Sequence, residues 1–152
     1  ENNKSGFYPY TPATNLLYGL NESINMLLEE GLDNVFARHK RLADATRLAV
    51  EGWGLEILAK NPIERSDSIT AIMVPDGHDS DNLRKIIYDN YNMSLGTGLN
   101  KVKSKVFRIG HLGDLNDLSL MGALAGVEMG LKQSGIPYKS GGIMAAIDFL
   151  SS

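Results

Sequence analysis

Leu16, Leu17, Leu20, Ile24, Leu27 and Leu28 recur three or four positions apart, the spacing that lines up one face of an α-helix. Thr11-Pro12 reads as its start, a hydroxyl at the cap followed by a proline whose missing N–H costs nothing there. Gly31 reads as its end. A second helical pattern, capped by Asp33, runs through Phe36, His39, Leu42, Ala43, Thr46 and Val50 to the Gly52-Trp53-Gly54 break. The period then shortens. Leu55 to Leu58 and Ser68 to Val74 read as strands, the second closed by Pro75. Asp79 caps a helix carrying Leu83, Ile86, Ile87 and Tyr91. Met93 to Leu95 reads as a short strand, Gly96-Thr97-Gly98 as a turn, and Lys105 to Gly110 as the clearest strand of the second half. Asn116 or Asp117 caps a helix that Gly135-Ile136-Pro137 stops, and Gly141 to Leu150 forms a last short one. The order predicts an α/β chain of α+β-like character, a small mixed, mostly antiparallel sheet covered by helices.

A chain of 152 residues fits one domain with a real core, and its 43% apolar and 22% charged residues are those of a globular protein. We expect residues 1–20 to be an arm or linker and residues 21–152 the domain proper. The net charge of −3 provides no basic field for nucleic acid or an anionic membrane. No apolar run approaches the roughly 18 to 20 residues needed to span a bilayer. Cysteine is absent, which excludes disulfides, thiolate metal sites and thiol nucleophiles. The polar opening Glu1-Asn2-Asn3-Lys4-Ser5-Gly6, without Met, reads as the start of a fragment.

Alternation in Lys105-Val106-Phe107-Arg108-Ile109-Gly110 puts Phe107 and Ile109 on one strand face and Arg108 on the other, beside Gly110. A guanidinium grips a planar carboxylate with two parallel hydrogen bonds, so Arg108 is a candidate carboxylate ligand. The alternative is a solvated or ion-paired surface arginine. At Tyr8-Pro9-Tyr10-Thr11-Pro12 a helix start with nearby hydroxyls can hold a phosphate through Tyr8 and Thr11, or simply be a capped helix with aromatics packed beside it. Gly96-Thr97-Gly98 with Lys101, Lys103 and Lys105 meets no phosphate-loop pattern and reads as a hairpin with solvated lysines. His39, His78 and His111 lack metal-ligand spacing; His39 reads as structural, and His111 could line the same pocket as Arg108. Asp76, Asp79 and Asp81 lack the glutamate of a calcium loop. No self-sufficient catalytic set can be read from spacing.

Gly98-Leu99-Asn100-Lys101-Val102, followed by Lys105 to Gly113, resembles the class V pyridoxal-phosphate aminotransferases, in particular the serine–glyoxylate and alanine–glyoxylate group. Tyr8 to Leu20 is similar to the junction where that family's large domain runs into its small one, and the resemblance covers essentially the whole chain. It implies the C-terminal small domain of a fold type I enzyme, homodimeric, using pyridoxal 5'-phosphate bound mainly by the large domain; the end Phe149-Leu150-Ser151-Ser152 lacks a peroxisomal address, so we expect a cytoplasmic protein. It further implies Arg108 as ligand of the substrate α-carboxylate, and Tyr8 and Thr11 as ligands of the cofactor phosphate. The Schiff-base lysine and the aspartate at the pyridine nitrogen are expected upstream, in the N-terminal large domain, so no catalytic residue is assigned here and the chain alone is expected to be inactive. The expected substrates are serine or alanine and a 2-oxo acid, glyoxylate. A free-standing regulatory module binding a small carboxylate or amino acid, and a dimerisation domain built on the Leu16 to Leu28 stripe, are the alternatives.

Overall fold

The computed structural model describes residues 4, 6–8 and 10–152; Pro9 and the other positions of the opening segment lie outside the described residues. The chain forms two compact units, Glu1–Phe36 and Ala37–Ser152. In the first, α1 (Thr14–Glu30) begins two residues later than Thr11-Pro12 predicts. Thr11 is not its cap. Ala13 holds that position without a side-chain bond, because the Thr14 amide turns back onto the Pro12 carbonyl and the first helical turn closes on Ala13. The helix ends at Gly31 as expected, with that glycine at φ 84° and its amide on the Leu27 carbonyl. α2 (Leu32–Gly52) starts immediately afterwards, so Asp33 lies in its first turn instead of capping it. There its charge still complements the helix dipole. No residue of α1 is buried, so its leucine stripe is an exposed apolar face.

The second unit holds a four-stranded sheet in the order β1-β2-β4-β3, with every pairing antiparallel: β1 (Glu56–Ile57), β2 (Ile69–Met73), β3 (Gly96–Thr97) and β4 (Val106–Gly110). β2 and β3 point the same way with β4 inserted between them, which makes a split β-α-β unit around α3 (Ser80–Tyr91). Asp79 caps α3 as predicted, accepting from the Asp81 amide. The expected strand at Met93 to Leu95 forms one step later, at Gly96–Thr97. Those two residues are an edge strand whose hairpin to β4 closes through a 3-10 turn at Asn100–Val102. α4 (Asp117–Ser134) is capped by Asn116, which accepts from the Ser119 amide, and stopped by Gly135 in the left-handed region. α5 (Gly142–Leu150) closes the chain.

The expected helix-covered sheet follows from where the apolar residues fall. Thr70, Ile72, Phe107 and Ile109 share one face, and all are buried. Against them pack Leu42, Ala45, Ala49 and Val50 of α2, Leu83 and Ile87 of α3, and Leu120, Leu124, Val127 and Leu131 of α4. α3 and α4 cross closely because Gly130 has no side chain: a Cβ there would run into the Ile87 and Leu83 side chains. Gly122, on the same helix, faces open space.

His111 continues the buried face and is wholly inaccessible. Nδ1 lies 3.1 Å from the Asp67 carbonyl and Nε2 lies 2.9 Å from the Thr70 hydroxyl. A carbonyl can only accept, so the proton sits on Nδ1 and the bare Nε2 accepts from Thr70. Burial holds the imidazole pKa below its ordinary 6.5; the Asp67 carbonyl opposes the shift and nearby Arg47 adds to it.

Two outcomes follow from this packing. Gly130→Ala lowers the unfolding free energy by about 1–2 kcal/mol through overpacking, whereas Gly122→Ala raises it by roughly 0.5–1 kcal/mol through helix propensity. Urea midpoints in the reverse order would refute the crossing. Because the folded pKa of His111 is depressed, the unfolded chain binds the proton more readily, so its contribution to stability is present above about pH 6.5 and fades below it. The stability gap between wild type and His111→Gln therefore narrows between about pH 7 and pH 5 in urea titrations. A gap that is constant with pH would sink this reading.

Candidate functional site

Alternation in β4 sends Arg108 to the face opposite Phe107 and Ile109. Its cross-strand neighbours on that face are Ala71 of β2 and Gly96 of β3. Both are small, so the guanidinium is flanked without being covered. The fit at Gly96 is close: a Cβ there would stand 3.0 Å from Nε and 3.0 Å from Cβ of Arg108. Nε itself is buried and has no hydrogen-bond partner. Among the described residues no carboxylate lies in ion-pair range of Arg108.

The other arginines of this unit behave differently. Arg41 meets Asp117, Arg47 meets Asp44 and Asp67, Arg65 meets Glu51, Arg84 meets Asp81, and Arg38 donates to the Gly113 carbonyl. Arg108 alone among these arginines keeps a buried nitrogen that no described residue answers. What it offers is a rigid fork of donors, suited to one planar carboxylate.

Two sequence expectations are corrected at this point. The glycine that makes room for the guanidinium is Gly96, across the strand, and not the neighbouring Gly110. His111 does not share a pocket with Arg108, since it lies two residues beyond Ile109 on the buried face. Gly96 was legible in principle: with the hairpin centred on Val102, the antiparallel partner of Arg108 is Gly96. His39 fits its structural reading, with Nε2 accepting from the Gly113 amide at 3.0 Å.

In the first unit, Tyr8 and Thr11 come together with Tyr10, Pro12, Ala13 and Leu16 around an open concavity of about 420 Å³. The start of α1 carries no acidic residue in its first turn, and Ala13 brings no side chain to the first-turn amides. No side chain neutralises the helix's positive end, although the amides of Thr14, Leu16 and Leu17 bond to the Pro12 and Ala13 carbonyls, and the hydroxyl-bearing Tyr8, Tyr10 and Thr11 lie beside it. This donor set fits a phosphate. The concavity has no lysine among its lining residues, so nothing there could form a covalent link to a carbonyl. Among the described residues no group of His, Asp or Glu could hold a metal ion, and no helix is long and apolar enough to cross a membrane.

No family model matches the chain. It is 54% identical over 150 residues to the serine–glyoxylate aminotransferase of Hyphomicrobium methylovorum, covering 98% of this chain and 37% of that protein. It is 47% identical to the L-aspartate–glyoxylate aminotransferase of Paracoccus denitrificans, over 91% of the chain and 35% of the relative. The crystal structure of pyridoxamine–pyruvate aminotransferase from Mesorhizobium loti superposes with a TM-score of 0.87 at 30% identity, over 95% of this chain and 38% of that one. The chain spans little more than a third of the length of these relatives. With its helix-covered antiparallel sheet and near-complete alignment to them, it belongs to the class V pyridoxal-phosphate aminotransferases.

Proposed function

We propose that the chain is the C-terminal small domain of an aminotransferase that moves an amino group from serine, or alanine, to glyoxylate, and that Arg108 holds the substrate α-carboxylate. The observation that carries this is the Arg108 guanidinium, seated against Gly96 with a buried nitrogen left unpaired. The relatives' names favour it over a regulatory or purely dimerising module. Their amino donors differ, being serine, L-aspartate and pyridoxamine, yet glyoxylate and pyruvate each carry a carboxylate beside a carbonyl. A carboxylate grip is the feature such substrates would have in common.

In this reading the two carboxylate oxygens lie in the fork of Arg108, and the bonds fix the rotation of the amino acid about its Cα. That presents the Cα–H bond in one orientation, which lowers the barrier by positioning. Tyr8 and Thr11 donate to the cofactor phosphate, with the N-terminus of α1 adding its partial positive charge. Bound pyridoxal phosphate supplies the electron sink for proton removal. The lysine that tethers it belongs to an N-terminal large domain upstream, as does the aspartate at its ring nitrogen, and the enzyme works as a homodimer. Residues 1–20 are the arm leading from that large domain. The chain alone binds carboxylates weakly and has no transaminase activity.

The test is a serine plus glyoxylate transamination assay on the full-length protein. Arg108→Ala lowers kcat/KM by roughly 10²-fold or more, the cost of two charge-assisted hydrogen bonds. Its thermal unfolding stays close to wild type, within about 0.5 kcal/mol, because no internal partner is stranded when the guanidinium goes. Full activity in that variant would refute the carboxylate assignment. Phosphate recognition is read separately: Thr11→Val weakens pyridoxal phosphate affinity about tenfold, as expected for loss of one hydrogen bond to a charged group. Unchanged cofactor affinity would remove Thr11 from the site.

A further inference from the structure

β3 is an edge strand of two residues, Gly96 and Thr97, too short to hold its place by ladder hydrogen bonds alone. What holds it comes from the first two turns of α3. Arg84 Nε donates to the carbonyl of Leu95, the residue before Gly96, at 2.8 Å. The hydroxyl of Thr97, the residue after Gly96, donates to Asp81 Oδ1 at 3.1 Å. Asp81 and Arg84 are themselves joined at 2.9 Å. The other carboxylate oxygen, Oδ2, accepts from Ser104 Oγ at 2.9 Å, on the far arm of the hairpin. One ion pair thus holds both neighbours of the glycine that lies against the Arg108 guanidinium, Leu95 by its carbonyl and Thr97 by its hydroxyl.

We infer that Asp81 and Arg84 are positioning residues for Arg108: by fixing both flanks of Gly96 they set the floor on which the guanidinium lies and so the direction of its donor fork. The inference rests on the proposed role of Arg108 as carboxylate ligand. The geometry leaves little slack. A shift of Gly96 by a few tenths of an ångström either opens a gap under Nε or pushes it, since the space there is already too tight for a methyl group. Bidentate recognition is sensitive to such tilts because both hydrogen bonds depend on one plane. The pair is suited to the task at neutral pH. The Ser104 hydroxyl first, with Thr97 and Arg84 behind it, holds the Asp81 carboxyl below its ordinary 3.8 against the opposing effect of desolvation, so the anchor is charged.

A purely structural role would lower stability without touching carboxylate affinity, and the experiment separates the two. In the full-length enzyme, Thr97→Val, Thr97→Ser, Asp81→Asn and Arg108→Lys are compared by steady-state kinetics with serine, by thermal unfolding, by the absorbance of bound cofactor, and by affinity for glycolate. Glycolate carries a carboxylate and no amino group, so it reports the grip alone. Thr97→Val is near-isosteric and β-branched, which keeps the strand folded. It and Asp81→Asn raise the serine KM and the glycolate dissociation constant roughly tenfold, while kcat stays within about twofold and cofactor content is unaltered. Thr97→Ser restores both constants. Unchanged glycolate affinity in Thr97→Val and Asp81→Asn, alongside a loss in Arg108→Lys, would overturn the positioning role and leave the carboxylate reading standing. So would a fall in kcat and cofactor content together. Unchanged glycolate affinity in Arg108→Lys would instead bring down the reading on which the inference rests.

Discussion

Five residue pairs join β2 to β4, from Ile69 with Gly110 to Met73 with Val106, and this ladder sets Ile72 beside Phe107 and Thr70 beside Ile109 on the face that α2, α3 and α4 cover. The second unit depends on it. Because side chains alternate along a strand, burying Phe107 and Ile109 leaves Arg108 no choice of face. A slip of one residue would bury the arginine and expose the phenylalanine, at a cost no ion pair in the vicinity could offset. The hydrophobic core therefore fixes the direction in which the guanidinium emerges. The polar contacts around β3 then refine where it lies.

The buried face is finished with equal care. Thr70 and His111 bring polar atoms into the core, and each has its partner: the hydroxyl on Nε2, and Nδ1–H on the Asp67 carbonyl. This arrangement ties the end of β4 to the loop before β2. Arg47 fastens the same loop to α2, through Asp67 and the Ser66 carbonyl. The strand that presents Arg108 is thus held at both ends, by the hairpin anchored on Asp81 and by the loop anchored on His111 and Arg47. Ligand-binding groups carried on a strand fixed in this way can be placed more accurately than groups on a free loop.

Most of this fold was legible from residue spacing. The helices carrying Leu83 and Leu124 and the strands through Ile72 and Phe107 formed where their periods placed them, since long-range packing and local preference agree there. The misses lie where one local rule competes with another. Thr11-Pro12 has the chemistry of a helix start, but Pro12 accepts from Thr14 and delays the helix to that residue. Gly96-Thr97-Gly98 has the composition of a turn, yet Gly96 and Thr97 form a strand because the hairpin closes further on. Gly96 was therefore missed as a site residue by reading composition before register. His111 was placed near Arg108 by proximity in sequence, which in a strand says nothing about which face is shared. The α1 stripe was read correctly as apolar, yet periodicity cannot say what covers it, and α1 itself buries none of it.

Arg108 and the Thr70–His111 pair differ in how the fold answers their polar nitrogens. Both put polar nitrogen where water is scarce. In the pair, donors and acceptors match within the fold, so removing either partner strands the other and weakens the protein. At Arg108 nothing in the fold answers Nε, so the folded state carries a desolvation cost that it could shed by losing the side chain. Stability alone would favour a smaller, apolar residue at that position, packed between Ala71 and Gly96. Under the proposed role a ligand carboxylate supplies the missing acceptor, and the cost becomes an advantage: Nε is already stripped of water when the carboxylate arrives. On the proposed role, the small neighbours Ala71 and Gly96 leave room beside the guanidinium. Bulk at residue 96 would press on the Arg108 side chain, since a Cβ there would already stand 3.0 Å from its Nε.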